Sequence, residues 1–497
     1  MKRFLFLTAA ISFFGATAQQ AGELDPGFGV GGFVITQDLQ GGTNIAIMPD
    51  DRIVMVGGYS QFNIIRLMPD GTPDTTFGVA GISSVDFGLQ NDYPYDVAVQ
   101  PDGKIVVIGV IDGPSSTNDQ AVGATRLNAD GTLDTTFNGN GQLVFDFADA
   151  INHPNAVALQ DDGKILIAGY TGASSAANDF AIVRLNPDGS FDTTFDTDGK
   201  ARINVQGDDR ARAMAIAPDG KIIVGGMSYP VGVNNCGFAA IRLLTDGSLD
   251  NTFSTDGRAL AKIGSGNDSV FDLAVQPDGK VILVADSSLG SQDIGVVRFD
   301  AAGNLDTTFS GDGKFSTFYG PTNSTDYINA VTLQPDGKIL VAGSYFTTPE
   351  RNLGLIRLTA NGELDTTFSD DGKANYVVPG DNGVSVYDMD LQSTGQILVS
   401  GYAANDFMLA RIFSGNEELG LPETASASTL FYPNPASGQL FFADNIRTAS
   451  IYTIDGKLAL QQDVSGPADI STLAKGIYVI ALTTTNGHVL RRKLSAE

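Results

Sequence analysis

Gln100-Pro101-Asp102-Gly103-Lys104-Ile105-Val106-Val107, then a run ending Ala124-Thr125-Arg126-Leu127, then Asp134-Thr135-Thr136-Phe137, is one copy of a unit that the chain writes seven times. The Asp-x-x-Phe phrase opens at Asp25, Asp74, Asp134, Asp192, Asp250, Asp306 and Asp365 and closes on Phe28, Phe77, Phe137, Phe195, Phe253, Phe309 and Phe368. The turn phrase ends at Arg52, Lys104, Lys164, Lys221, Lys280, Lys338 and Gln396, each followed by a β-branched run. A third run carries one arginine: Arg66, Arg126, Arg184, Arg242, Arg298, Arg357 and Arg411. The period is about 58 residues, a little longer than the ~40 to 45 of WD-type blades. Each period holds four short β runs, in the second copy Ser83 to Phe87, Asp96 to Gln100, Ile105 to Gly109 and Ala121 to Leu127, with Gly, Pro and Asp turns between them. Four strands per period, seven periods and no helical spacing predict an all-β chain folded as a seven-bladed β-propeller, with a linear β-solenoid as the alternative.

Six arginines precede the aspartate of the next phrase by eight residues, Arg66 with Asp74 through Arg357 with Asp365. Arg411 has no aspartate downstream and Asp25 has no arginine upstream. A closed ring brings the two together, because a guanidinium on a buried strand needs a carboxylate or several carbonyls. The strand near Phe33 to Asp38 is therefore expected as the outermost strand of the last blade, beside Val386 to Leu391, Gln396 to Gly401 and Phe407 to Phe413, a one-plus-three closure that leaves no open edge. An anion-binding circle is the functional alternative for the seven arginines.

The chain of 497 residues has 57 acidic residues against 30 Lys and Arg, a net charge of -27. Only seven of the acids are Glu, so the charge sits in turn-forming Asp. Nucleic acid is excluded as a partner by the lack of clustered cations. Two histidines, His153 and His488, and one cysteine, Cys236, leave too few residues for zinc centres, Ser-His-Asp triads or an intramolecular disulfide. No catalytic residue and no metal ligand stands out. His153 precedes Pro154 in what reads as a loop, and Cys236 reads as a small turn residue, with an intermolecular disulfide as the alternative.

The ends read as addresses. Residues 1–18 have the charged start, short apolar run and Ala16-Thr17-Ala18 site of a secretory signal. Residues 19–413 are the propeller, 414–428 a Glu-, Ala-, Ser- and Thr-rich linker, and 429–497 a tail with β runs at Gln439 to Phe442, Ser450 to Ile454, Ile477 to Leu482 and His488 to Leu490, expected as a small Ig-like β-sandwich. No run is long enough for a transmembrane helix.

Tyr432-Pro433-Asn434-Pro435, then Asp469-Ile470-Ser471-Thr472-Leu473, Lys475-Gly476-Ile477-Tyr478 and Arg491-Arg492-Lys493 resemble the C-terminal sorting domain of type IX secretion. The resemblance implies Gram-negative export in two steps, the type IX machinery as partner, a tail that is usually cleaved, and a secreted or surface-anchored, outer-membrane-associated product. The repeat resembles the delta-60 repeat of large bacterial secreted proteins, which implies a propeller and no reaction. Departures are Pro26-Gly27 for Thr-Thr, Asp51-Arg52 for Gly-Lys and Ser393 to Gln396 for Pro-Asp-Gly-Lys.

Function is expected on the face whose loops differ: Gln90 to Tyr95, Ile111 to Gln120, Ala150 to Pro154, Met227 to Cys236, Phe318 to Tyr327 and Ser344 to Asn352. These bring Tyr93, Tyr95, Tyr229, Tyr319, Tyr327 and Tyr345, each a flat apolar ring with a polar tip. Asp-rich turns at Asp196 to Gly199, Asp256, Asp312 and Asp370-Asp371 offer hard oxygens, so calcium is the one cofactor in view, although turn chemistry alone accounts for them. Two readings stay open: a non-catalytic exported propeller binding a protein or glycan, and a polysaccharide-active hydrolase or lyase using Asp pairs.

Overall fold

The computed structural model describes residues 20–36, 44–88, 91–112, 120–149, 151–174, 177–233, 235–288, 292–320, 325–347, 350–378, 383–403, 406–415, 431–432, 438–442, 446–453, 457–464, 466–484 and 489–496. The signal segment and Pro433, Asn434 and Pro435 lie outside them, as does His488. The chain divides into two compact units, Met1–Asn416 and Glu417–Glu497.

The first unit is a seven-bladed propeller of four-stranded antiparallel sheets. Its innermost strands are Asn44–Ile47, Asp92–Val99, Ile151–Leu159, Gly207–Ile216, Asp268–Val275, Thr325–Leu333 and Val384–Leu391. They pack one on the next around the axis, the last against the first. Ile105, Val106, Val107 and Ile108 show why the second strands read as unbroken apolar runs: every one is fully buried, alternate side chains facing the blade on either side. Val106 and Ile108 pack with Ile165, Ile167 and Val183 of the following blade. Each such side chain contributes about 1.5 to 3 kcal/mol through burial.

Blades are offset from the written period. Ile82–Val85, expected to begin the second unit, pairs with Phe62–Leu67 and completes the first blade. The second blade runs Asp92–Val99, Ile105–Asp112, Gln120–Leu127 and Gln142–Phe145. The offset closes the ring: Phe33–Thr36 pairs antiparallel with Asp406–Ile412, Phe33 opposite Ala410 and Thr36 opposite Phe407. The Asp25 N–H donates to the Arg411 carbonyl at 2.9 Å, and Arg411 Nε meets Asp25 Oδ2 at 2.8 Å.

The same pair recurs in every blade, Arg66–Asp74, Arg126–Asp134, Arg184–Asp192, Arg242–Asp250, Arg298–Asp306 and Arg357–Asp365, at 2.7 to 2.8 Å. Each guanidinium lies 4.5 to 5.1 Å from the ring centre of its phrase's Phe, Phe28 with Arg411 and Phe137 with Arg126 marking the limits. Each also donates to a turn carbonyl in the blade that follows: Arg66 to Ala129, Arg126 to Pro187, Arg184 to Thr245, Arg242 to Ala301, Arg298 to Ala360, Arg357 to Ser414 and Arg411 to Pro69. The arginines are thus inter-blade staples. Burial pulls the Asp192 carboxyl upward, but the Thr194 hydroxyl and N–H and the Arg184 guanidinium outweigh it and hold it at about 2.

Among the described residues, the second unit has a three-stranded sheet (Phe431–Tyr432, Gln439–Phe442, Ala468–Asp469) and a four-stranded one (Leu458–Asp463, Ile446–Thr453, Gly476–Thr484, Val489–Ala496). Leu440, Ala449, Ile451, Ala468, Ile480, Leu482 and Leu494 form a core drawn from both. Gly476, Tyr478 and Lys493 lie in the second sheet, where Tyr478 pairs with Leu494 and Val479 with Lys493, and the Tyr478 hydroxyl donates to the Ala474 carbonyl at 2.8 Å. Tyr432 pairs with Phe441. The strand Leu458–Asp463 has no counterpart among the runs read from sequence, because Leu458-Ala459-Leu460-Gln461-Gln462-Asp463 carries no β-branched or aromatic residue. No helix of the described residues is long and apolar enough to cross a membrane.

Candidate functional site

The site is built by one irregularity repeated on the innermost strands. Registers slip between Pro94 and Asp96, Pro154 and Ala156, Ala211 and Ala213, Val270 and Asp272, Ile328 and Ala330, and Val386 and Asp388. Each slip leaves one unpaired residue: Tyr95, Asn155, Arg212, Phe271, Asn329 and Tyr387. The bulge crowds the second strand, which answers with glycine: a Cβ on Gly169 or Gly343 would overlap the carbonyl oxygen of His153 or Tyr327. Pro94 and Pro154 fit here because the free edge of an innermost strand faces the axis and asks nothing of their missing N–H.

The residue after the bulge answers to the bulge residue. Tyr95, Phe271 and Tyr387 are followed by Asp96, Asp272 and Asp388, whereas Asn155, Arg212 and Asn329 are followed by alanine. Those aspartates clamp the next blade: Asp96 accepts from the Val157 N–H at 2.7 Å, Asp272 from Val331 at 2.8 Å and Asp388 from Ile45 at 3.0 Å. Asn155 makes its own bridge, Nδ2 donating to the Ala211 carbonyl at 2.8 Å. Burial pushes the Asp96 carboxyl up to about 6 and that of Asp272 to about 7, and holds Asp388 well above the usual range, with the three charges repelling one another. Asn44, Asp96, Asn155, Arg212, Phe271, Asp272, Asn329, Tyr387 and Asp388 line a chamber of about 170 Å³.

Beyond the chamber runs an aromatic arc. Tyr387 and Tyr402 lie 5.7 Å apart, Tyr59 and Tyr93 6.0 Å, and Tyr95 and His153 4.5 Å between ring centres. His153 stacks on Tyr170 at 4.9 Å and 7°, and Arg210 stands 5.9 Å from Tyr170 and 5.8 Å from Tyr229. Tyr59 and Tyr95 are near enough to Tyr387 that, after burial and Tyr402, they help push its phenol up to about 12. Burial, then repulsion from Arg212 and Arg210, lowers His153 to about 4, so its imidazole is neutral at physiological pH. On the sixth blade Arg351 lies 4.7 Å from the Tyr327 ring and donates to the Ser385 hydroxyl of the seventh at 3.0 Å.

The six tyrosines read from sequence therefore divide. Tyr93, Tyr95 and Tyr229 belong to the arc, and Tyr327 lies on the sixth blade, next to the blade that carries Tyr387 and Tyr402. Tyr319 and Tyr345 lie apart from the arc: both are largely buried in the core between the fifth and sixth blades, where they line a second cavity of about 440 Å³ with Lys373 and Asn375. Tyr93 and Tyr95 lie in a strand rather than a loop, and so does His153, whose Nδ1 is buried. Tyr59, Tyr170, Tyr387, Tyr402 and Arg210 were not foreseen. One signal could have found the bulge residues: five positions before the first residue of the turn phrase (Gln, or Ala217 in the fourth blade) lies a position at which the otherwise uniform repeats differ. Cys236 is buried with its Sγ 3.4 Å from the Asp268 carbonyl, which closes it to an intermolecular disulfide. The turn acids Asp198, Asp256, Asp312 and Asp371 accept the backbone N–H two residues on at 2.9 to 3.1 Å, and among the described residues no three acidic, His or Cys side chains converge as a metal group would require.

Six stretches, 49–77, 100–137, 160–195, 217–253, 276–309 and 334–368, match a domain of unknown function described as the DUF5122 beta-propeller. Residues 430–496 match the secretion system C-terminal sorting domain. No curated protein matches the chain. Similar solved structures include YCF48 from Cyanidioschyzon merolae (11% identity over 76% of this chain and 98% of that one, TM-score 0.44). Another is a PL25 ulvan lyase bound to a glucuronate–rhamnose sulfate oligosaccharide (11%, 80% and 95%, 0.45), and a third a puromycin hydrolase (12%, 94% and 62%, 0.45). Likeness at this level carries no argument about function.

Proposed function

From a chain that carries DUF5122 β-propeller repeats and ends in a type IX sorting domain, we propose a non-catalytic exported protein that holds a glycan at the mouth of its central channel. The sorting domain marks the protein as secreted or displayed at the cell surface, and the signal segment 1–18 supplies the first of two export steps in a Gram-negative envelope.

The observation that carries the reading is the arc Tyr402, Tyr387, Tyr59, Tyr95, His153 and Tyr170, spread over four adjacent blades and interleaved with Arg210. Flat rings with polar tips suit the alternating apolar faces and hydroxyl edges of a sugar chain. Divergent residues on an invariant scaffold are where recognition belongs. The paired-carboxylate enzyme gains little support, since Asp96, Asp272 and Asp388 are each spent on the backbone of the next blade. The test is a glycan array probed with the full chain, followed by Tyr170→Ala. A bound glycan whose affinity falls at least tenfold in the variant, with unchanged melting, supports the reading. Release of cleaved product, or a ligand indifferent to Tyr170→Ala, overturns it.

A further inference from the structure

The strongest anomaly in the molecule is Arg212. Every staple arginine meets an aspartate; Arg212, on the bulge of the fourth blade, points into the chamber, and its Nε is buried without a hydrogen-bond partner. The carboxylates that share the chamber are engaged elsewhere. Asp96 takes the N–H groups of Val97 and Val157, Asp272 those of Leu273 and Val331, and Asp388 those of Met389 and Ile45. Arg212 is also the only charged residue among the six described bulge positions, where the other blades place Tyr, Asn, Phe, Asn and Tyr. A half-buried guanidinium left with a donor to spare in a narrow polar space is costly unless a ligand supplies the acceptor.

We propose that the chamber receives the acidic end residue of a glycan, a terminal uronic acid, with Arg212 as the anchor of its carboxylate. The inference rests on the glycan reading of the mouth and adds the substrate class and the end-on mode. Three things argue for it. The fork of Arg212 matches a planar carboxylate bidentately. The Asn329 amide offers a donor and an acceptor for ring hydroxyls, Asn44 and Asn155 being held by Asp96 and the Ala211 carbonyl, and Phe271 and Tyr387 offer apolar faces. The volume, about 170 Å³, lies well below the ~300 Å³ at which drug-sized sites begin, so it admits one sugar ring rather than a threaded chain. Tyr387, 38% exposed, stands both in the chamber wall and in the arc, so the rest of the chain runs out over Tyr402, Tyr95 and Tyr170.

The charged and titratable groups around Arg212 are His153, Arg210, Asp96, Asp272, Asp388 and Tyr387. His153 is neutral above about pH 4, and the aspartates take up protons as the pH falls through about 7 and 6, which removes repulsion of an anion. Binding is expected to tighten over that interval.

The probes are trigalacturonate, its methyl ester, a neutral galactose trimer and polygalacturonate, titrated calorimetrically into the full chain. Trigalacturonate should bind, with affinity at least tenfold above that of the ester and of the neutral trimer. Per chain end, polygalacturonate should bind no more tightly than the trimer. Arg212→Gln should lower the trimer's affinity at least tenfold and leave the neutral trimer's unchanged. The ester control needs no altered protein, so the test survives if the variant fails to fold. Equal binding of acid and ester, or affinity that grows with internal uronates, overturns the inference. If a neutral glycan binds and Tyr170→Ala abolishes it while trigalacturonate binds no better than its ester, the end-on uronate site falls and the glycan-binding mouth stands. If no glycan binds, both fall.

Discussion

The propeller carries two rings, one of seven staples and one of six bulges among the described residues. In the staple ring, Arg, Asp and Phe recur with almost one geometry, 2.7 to 2.8 Å between guanidinium and carboxylate in each blade. In the bulge ring the backbone irregularity recurs but the residue does not: Tyr95, Asn155, Arg212, Phe271, Asn329 and Tyr387 share a place and no chemistry. Sameness marks what each blade must do alike, which is to grip its neighbour. Difference marks the positions a ligand could read.

The sharpest way to break this contrast is to disable one staple. Arg184→Ala leaves the buried Asp192 without its guanidinium partner and should destabilise by about 3 to 5 kcal/mol, read as a fall in the urea midpoint. An equal loss from Arg212→Gln would place that residue with the staples and dissolve the distinction. At the seam the staple is poorer. Asp25 has Gly27 in place of Thr, so it takes one N–H at 2.9 Å and no hydroxyl, and Gln396 replaces the lysine, or Arg52 in the first blade, that elsewhere reaches the aspartate. Arg411→Ala is expected to cost about 2 to 4 kcal/mol and to make Phe33–Thr36 the first outer strand to exchange its amides, followed by mass spectrometry.

Acidity separates the rings by sign. Asp272 and Asp96 titrate in the folded state at about 7 and about 6, above the ordinary 3.8. Their ionisation therefore costs stability that is absent below about pH 4 and fully felt above about 7. Staple carboxyls such as Asp192 and Asp365, held near 2, contribute stability above about pH 4 that is lost as the pH falls towards 2. Stability should rise by about 1 to 3 kcal/mol from neutral pH to about pH 5 and collapse below about 4. Asp96→Asn should flatten the first limb and leave the second, as urea midpoints across pH would show. The smallest effect is expected at the rim of the staple ring. Lys221 lies 3.1 Å from Asp250 and is partly exposed, so Lys221→Ala should lower the melting midpoint by an amount equivalent to about 0.2 to 1 kcal/mol.

Repetition explains what could be read in advance. Seven copies of Asp-x-x-Phe and of the single arginine cancel local noise, so blade count, partners and seam all follow from spacing; even the orphan pair Asp25 and Arg411 is visible as an arithmetic remainder. Lys104, Lys164, Lys221, Lys280 and Lys338 read only as turn residues, although each also reaches the staple aspartate of its blade at 3.1 to 3.6 Å. Lys104 and Asp134 are 30 positions apart, and no local pattern connects them. His153 reads as a loop residue for a similar reason: Pro154 argues against a strand, and only an edge that faces the axis removes the objection.

The sequence alone determined an all-β ring, its seven units, the latch between its first and last strands and the export tail, because each depends on spacing that repeats or on a motif contiguous in the chain. Tertiary structure alone decided which side chains share the channel. Tyr402, Tyr59, Tyr170 and Arg212 come from four blades, scattered over more than half the chain, and only bending the array into a circle lays them beside one another. Register mattered as much: a one-residue bulge turns Arg212 out of the ladder and into the chamber, and period-two alternation gives no sign of that turn.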